Sequence, residues 1–240
     1  MKILIFGGTT EGRVLARELC ADGHAVTVSC ATALGVEELR GLPCETLCGR
    51  LDTAQITELV QGFDLVIDAT HPYAVEITEN VRTACEQAAV PLKRVLRERG
   101  AASDCVQVRS CEEAAEVLRG TEGNILLTTG AKELGKFAGL DPERLYARVL
   151  PTHPGIDACE AIGLPHSHII AMQGPFSKEM NLAVIRQYDI RVLVTKNSGT
   201  AGGFTEKIGA AESAGVRVVL IEPPDDSGMS MEELLREVRK

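Results

Sequence analysis

The residues with the clearest chemical purpose stand near the start of the chain. Gly7-Gly8-Thr9-Thr10-Glu11-Gly12-Arg13 follows a short apolar run and opens into a helix-forming stretch. Glycine at 7 permits a tight turn and glycine at 12 permits close helix–strand packing, while amides at a helix start, with the helix dipole, receive a diphosphate. Thr9 stands where the usual G-x-G-x-x-G pattern has its middle glycine, and its hydroxyl offers a bond to a phosphate oxygen. The loop reads as a dinucleotide cradle; the plainer alternative is a glycine turn needed only for packing. NAD sites usually carry an acid at the end of the second strand. Here that place holds Ser29, Cys30, Ala31 and Thr32, with no acid before Glu37. Ser29, Thr32 or Arg50 suits a 2′-phosphate, so NADPH is favoured.

Four further loops carry polar groups just after apolar runs, where open α/β sheets bind ligands. In Ala69-Thr70-His71-Pro72-Tyr73-Ala74, Pro72 biases His71 toward an extended backbone and delays the following helix. His71 and Tyr73 are then candidate proton donors or substrate contacts, unless the turn is purely structural. Thr128-Thr129-Gly130-Ala131-Lys132, Gln173-Gly174-Pro175-Phe176-Ser177-Lys178 and the stretch from Thr195 through Lys196, Asn197, Ser198 and Gly199 to Gly203 and Lys207 repeat one theme. Glycine, hydroxyl and lysine together suit carboxylates or phosphates, although a single such lysine is ordinarily a solvated surface group. Neither a G-x-S-x-G elbow nor a phosphate loop ending in Gly-Lys-Ser/Thr occurs. His166 and His168 would reach a metal across a strand face, but lack a third ligand at fitting spacing, so no metal is expected.

Short β-branched runs alternating with helical stretches position these loops. Strands are expected at Lys2–Phe6, Ala25–Ser29, Glu45–Cys48, Asp64–Asp68 and Pro91–Leu96, with helices over Thr10–Asp22, from an Asp52 N-cap to Gln61, and over Tyr73–Ala89. Periodicity fails across Arg97–Asp104 and then restarts. Strands are expected at Val106–Val108, Ile125–Thr129, Tyr146–Leu150, Ile169–Met172, Val192–Thr195 and Val216–Ile221, with helices centred near 115, 134, 159, 182, 208 and 235. The fold class is therefore α/β: two Rossmann-like lobes with mainly parallel sheets and a cleft between them. Residues 1–98 form a dinucleotide-binding lobe, and 99–240 a second lobe with substrate and cofactor contacts.

Composition narrows the partners. A net charge of -9 and 3% aromatics argue against nucleic acid, which selects a basic face or stacking platforms. No apolar run approaches the about 18 residues of a membrane span, and Met1-Lys2 leads straight into a strand without a signal peptide. Eight cysteines with no C-x-x-C pair read as free thiols of a cytoplasmic protein.

Taken together, GGTTEGR at 7–13, DATHPYA at 68–74, TTGAKEL at 128–134, MQGPFSKEMN at 172–181 and TKNSGTAGGFTEK at 195–207 resemble the precorrin-6A reductase and cobalt-precorrin-6A reductase family of cobalamin biosynthesis. The five ordered motifs span essentially the whole chain. The resemblance implies NADPH-dependent reduction of one ring double bond of a tetrapyrrole, hydride to one carbon and a proton to its neighbour. It puts Gly7, Gly8, Thr9, Thr10, Glu11 and Gly12 on the cofactor, and Thr70, His71 and Tyr73 beside the nicotinamide. Lys132, Gln173, Ser177, Lys196, Ser198 and Gly199 then face the substrate, with Lys196 the candidate for anchoring or polarising it. Asn197 stands where the family pattern leads one to expect an acid. Two rivals remain open: an NADP-dependent reductase or epimerase of another small anion, and a non-catalytic dinucleotide-binding redox sensor.

Overall fold

β1 (Lys2–Phe6) has Ile3, Leu4 and Ile5 fully buried, because helices cover both faces of its sheet. Its odd residues Ile3 and Ile5 join Leu15, Leu19, Val26 and Val28 in one apolar cluster, and its even residues Leu4 and Phe6 join Ile56, Val60, Val66 and Val81 in another. The computed structural model describes residues 1–97, 100, 102, 105–199 and 203–239. They fall into two units, one spanning Met1–Glu98 and Asp225–Lys240 and the other Arg99–Pro224.

In the first unit, α1 (Thr10–Ala21), β2 (Ala25–Cys30), α2 (Ala33–Glu37), β3 (Glu45–Cys48), α3 (Thr53–Val60), β4 (Leu65–Asp68), α4 (Val75–Ala88) and β5 (Leu92–Arg94) follow β1. The parallel sheet runs β3-β2-β1-β4-β5, so the order reverses at β1 and β4. A crevice beyond strand ends forms at such a reversal. α3 starts at the expected residue, with Asp52 and Gln55 making a reciprocal capping box.

The second unit contains β6 (Cys105–Val108), α5 (Cys111–Arg119), β7 (Asn124–Leu127), a 3-10 helix (Ala131–Phe137), β8 (Leu145–Val149), α6 (His153–Ala161), β9 (Ile169–Ala171), α7 (Lys178–Gln187), β10 (Ile190–Lys196), α8 (Phe204–Ala214) and β11 (Arg217–Ile221). Its parallel sheet has the order β6-β11-β10-β7-β8-β9. The helix expected near 134 is thus 3-10, and His166–His168 is a 3-10 turn instead of a strand face. His166 meets Glu160 and His168 meets the Leu145 carbonyl, so the two rings serve separate local contacts.

The end of the chain corrects the assignment of 99–240 to one lobe, because residues from Asp225 onward belong to the first unit. Met229 pairs with Val95 in a parallel bridge, and α9 (Met231–Val238) sends a fully buried Leu234 into the cluster beneath α1. Gly228 is required there, since a Cβ would lie 2.5 Å from the Arg94 carbonyl oxygen. Of the Arg97–Asp104 stretch read as the boundary, residues 98, 99, 101, 103 and 104 lie outside the described residues, as do Thr200, Ala201 and Gly202 of the loop after β10. No helix among the described residues is long and apolar enough to cross a membrane.

Candidate active site

The turn between β1 and α1 is a cradle shaped by missing side chains. A Cβ on Gly7 would stand 3.0 Å from Val28 Cγ1, and one on Gly12 would stand 3.1 Å from Gly7 Cα. Gly8 has φ +92, a left-handed backbone that glycine adopts freely. Thr9 caps α1: its hydroxyl accepts from the Gly12 amide at 3.1 Å and donates to the Ala69 carbonyl at 2.8 Å. The proton that the sequence offered to a phosphate is thereby committed to Ala69. The amides of Gly8, Thr9, Thr10 and Glu11 make no hydrogen bond to another described residue, leaving donors at the positive end of α1. This donor set, with no protein atom within 4 Å of where a Gly8 Cβ would stand, fits a dinucleotide diphosphate.

The remaining expected cofactor residues gather around this turn to different degrees. Thr9 ties the turn to the loop after β4, so Thr70, His71 and Tyr73 lie beside it on the neighbouring strand end. The His71 and Tyr73 rings are 5.5 Å apart. Ser29, next to last in β2, has its backbone carbonyl bound to the Gly7 amide, although the residue is buried. Thr32 caps α2 by accepting from the Gly35 amide at 3.2 Å, and Gly35 in turn packs close to Gly8. Arg50 is exposed beyond β3, whose end is joined to Cys30 through the Gly49 amide. Glu11 is engaged by Arg97 at 2.5 Å.

A buried ionic network that sequence reading missed holds the loop after β4. Asp68 is 1% exposed and pairs with Arg94 at 2.9 Å. Arg94 also reaches Asp226 at 2.8 Å and donates to both the carbonyl and hydroxyl oxygens of Thr70 at 3.1 Å. One guanidinium therefore fixes β4, β5, Thr70 and the returning C-terminal segment. Its sequence signal is the Lys93-Arg94 pair inside the strand stretch Pro91–Leu96, read only as a strand.

In the second unit the expected residues occupy the carboxyl ends of its strands. Lys132 is exposed on the 3-10 helix after β7, and Gln173 and Ser177 are exposed after β9, with Ser177 capping α7 through the Met180 amide. Lys196 ends β10 and meets Glu133 at 3.3 Å. Burial, and then the carboxylate of Glu133, push the neighbouring Cys111 thiol up to about 12, which keeps it a neutral filler beside this ion pair. Ser198 and Gly199 are buried, Gly199 with φ +71. Asn197 has a different role: its amide clasps both backbone groups of Gly100, at 3.0 and 3.1 Å, and donates to Glu222 at 3.1 Å. A carboxylate at 197 would lose the donor and face Glu222, so this chain uses the amide for closure of its own backbone. Arg148 of β8 and Lys207 of α8 are both buried. Arg148, a lone charge in an apolar strand, was not singled out from the sequence.

Comparison with known proteins agrees with this fold. Residues 2–239 match the family model of precorrin-6x reductase CbiJ/CobK. The chain is 36% identical to the cobalt-precorrin-6A reductase of Priestia megaterium over 230 residues, 92% of this chain and 90% of that one. It is 33% identical to the precorrin-6A reductase of Rhodococcus erythropolis over 230 residues, covering 93% of this chain and 89% of the relative. Among solved structures, CobK precorrin-6A reductase superposes with a TM-score of 0.81 at 26% identity, covering 99% of this chain and 96% of the other. Two parallel sheets, a glycine cradle at a strand-order reversal and a match from end to end lead to one statement: the chain belongs to the precorrin-6x reductase CbiJ/CobK family of oxidoreductases.

Proposed function

We propose that the chain reduces a ring double bond of precorrin-6A or cobalt-precorrin-6A to the 6B form, in the cytoplasm, with NADPH as reductant. The observation that carries the reading is the β1–α1 turn, where the amides from Gly8 to Glu11 have no hydrogen-bond partner among the described residues and Gly8 has open space beside it. When bound, the dinucleotide supplies the hydride. The chain's own part is to bind, orient and protonate. Gly8, Thr9, Thr10 and Glu11 hold the diphosphate by backbone amides, Gly7 and Gly12 shape the turn that presents them, and Thr32 and Arg50 receive the 2′-phosphate, with Ser29 setting the end of β2 beneath them. Thr70, held by Arg94, borders the nicotinamide. Hydride arriving at one carbon leaves negative charge on its neighbour, which takes a proton; His71 and Tyr73 are the candidate donors. Lys196 anchors or polarises the macrocycle, and Lys132, Gln173, Ser177, Ser198 and Gly199 contact it. Carboxylates on a tetrapyrrole suit such lysine and amide partners.

The test mixes purified protein, NADPH and either macrocycle, and follows the absorbance of both. Equimolar loss of NADPH and macrocycle is expected. Binding of NADPH without consumption would favour a sensor, and consumption with a different small anion would favour the rival reductase or epimerase. Lys196→Ala is expected to lower turnover by about 100–1000-fold, the scale of one lost polarising contact, with NADPH affinity nearly unchanged. Full activity in that variant removes Lys196 from the site.

A further inference from the structure

Strand alternation assembles a polar layer on one face of the second sheet. Leu126, Tyr146 and Leu193 share an apolar cluster with Ile185 of α7 and Ile208 of α8. Two residues further along, Thr128, Arg148 and Thr195 come out on that same face, on the adjacent strand ends of β7, β8 and β10. Lys207 of α8 closes the layer by donating to Thr195 Oγ1 at 3.0 Å, and Asn181 of α7 does so by accepting from Arg148 at 2.8 Å.

The layer has an excess of buried positive charge. Arg148 is 8% and Lys207 9% exposed, and neither forms an ion pair among the described residues. Beyond the Asn181 bond, Arg148 stacks 4.2 Å from the Phe176 ring centre, and its Nε and Nη2 meet no acceptor among the described residues. Two of the three Lys207 protons are likewise unspent. The field of Glu206 reaches Lys207, but that carboxylate bonds neither cation and its Oε2 is buried without a partner. Thr129, which follows β7, is also buried with its hydroxyl unpartnered. Burial, and then the field of Arg148, push Lys207 down to about 8, and burial pushes Arg148 down to about 10, so both are cationic at neutral pH. Buried charges in proteins are paired or bound to a counter-ion. Two cations against one carboxylate leave one positive charge to be matched. Exposed Leu150 after β8, Met172 after β9 and Met180 in the first turn of α7 offer an apolar surface to the rest of a ligand.

We propose that Arg148 and Lys207 form an internal receptor for the carboxylate group of an organic ligand, held by the Nε–Nη2 edge of the guanidinium and the spare protons of the ammonium. On the reading above, which this inference extends, that carboxylate is a side chain of the macrocycle. The receptor then fixes the register of the ring, which the exposed Lys132 and Gln173 are too free to do.

The receptor is tested on the full chain without NADPH or macrocycle, using sodium propionate as probe. Thermal unfolding is compared in propionate, phosphate and chloride at equal ionic strength and neutral pH. Propionate at about ten times its dissociation constant is expected to raise Tm by about 2–6 °C over chloride, and phosphate to raise it less. Lys207→Met, which removes a buried charge and retains the stem, should fold and lose the propionate increment; Arg148→Gln should lose it too where it folds. An equal increment in wild type and Lys207→Met, no increment in wild type, or a larger increment with phosphate overturns the proposal. Reductase activity measured in parallel separates the two readings. An increment without macrocycle reduction sinks the proposed function and leaves the receptor; reduction without an increment does the reverse.

Discussion

Replacing Arg94 with methionine is expected to cost about 3–5 kcal/mol of stability, because it strips a buried carboxylate of its cation. Asp68 is 1% exposed, and its Oδ2 already lacks a hydrogen-bond partner among the described residues, so little else there compensates the charge. The same change leaves Asp226 with the more distant Arg82, at 3.5 Å, as its ion-pair partner and withdraws two bonds from Thr70. Methionine keeps the packing volume, so the loss reports electrostatics and hydrogen bonds in preference to a cavity. Asp68→Asn should therefore rescue Arg94→Met in part, giving a coupling of about 1–3 kcal/mol in a double-mutant cycle read by urea unfolding. A loss below about 1 kcal/mol, or no rescue, means that solvent reaches the pair and the network is ornamental. Since Arg94 holds Thr70, the folded fraction of the variant should also bind NADPH more weakly.

That network shows where sequence legibility ended. Local chemistry was legible: the Asp52 cap, the glycine cradle, the parallel strands and the delay of α4 past Pro72 all depend on residues within a few positions of each other. The partner of Arg94 is not local. Asp226 lies 132 residues away, and only the folded chain brings it back. For the same reason α9, strongly amphipathic but silent about which core it seeks, was placed with its sequence neighbours, whereas Leu234 fills the first unit. Spacing likewise could not tell which face of β10 each residue takes. Lys196 meets Glu133 on the 3-10 helix, while its neighbour Thr195 meets Lys207 on α8, so adjacent residues serve opposite sides of the sheet. Thr9 was legible as a special position, but its use was not: the hydroxyl joins two loops of the protein to each other.

Gly7→Val should reduce NADPH affinity at least about hundredfold, equivalent to about 2.8 kcal/mol, while the parallel sheet persists. The added Cβ would stand 3.0 Å from Val28 Cγ1, and Val28 is fully buried in a packed cluster. Core side chains yield little, and overpacking of this kind costs about 1–3 kcal/mol. The turn yields more readily, since Gly8 beside it is exposed. Relief therefore comes by lifting the turn, which moves the amides of Gly8 to Glu11 off their common target. Gly12 transmits the movement, because Gly7 Cα lies 3.1 Å from where its own Cβ would be. Gly8→Ala separates sterics from backbone conformation: no protein atom lies within 4 Å of the new methyl, and only the φ of +92 resists it. That variant should lose less stability than Gly7→Val, yet still lose NADPH affinity where the methyl enters the diphosphate space. Gly62→Ala, whose Cβ would make an ordinary 3.7 Å contact far along the chain from the turn, is the control for both. Nicotinamide fluorescence titration, with far-ultraviolet circular dichroism to certify the fold, reads all three. Wild-type affinity in a folded Gly7→Val protein would put the dinucleotide somewhere other than the β1–α1 turn, and the assignment of Gly7 to Gly12 would fall with it.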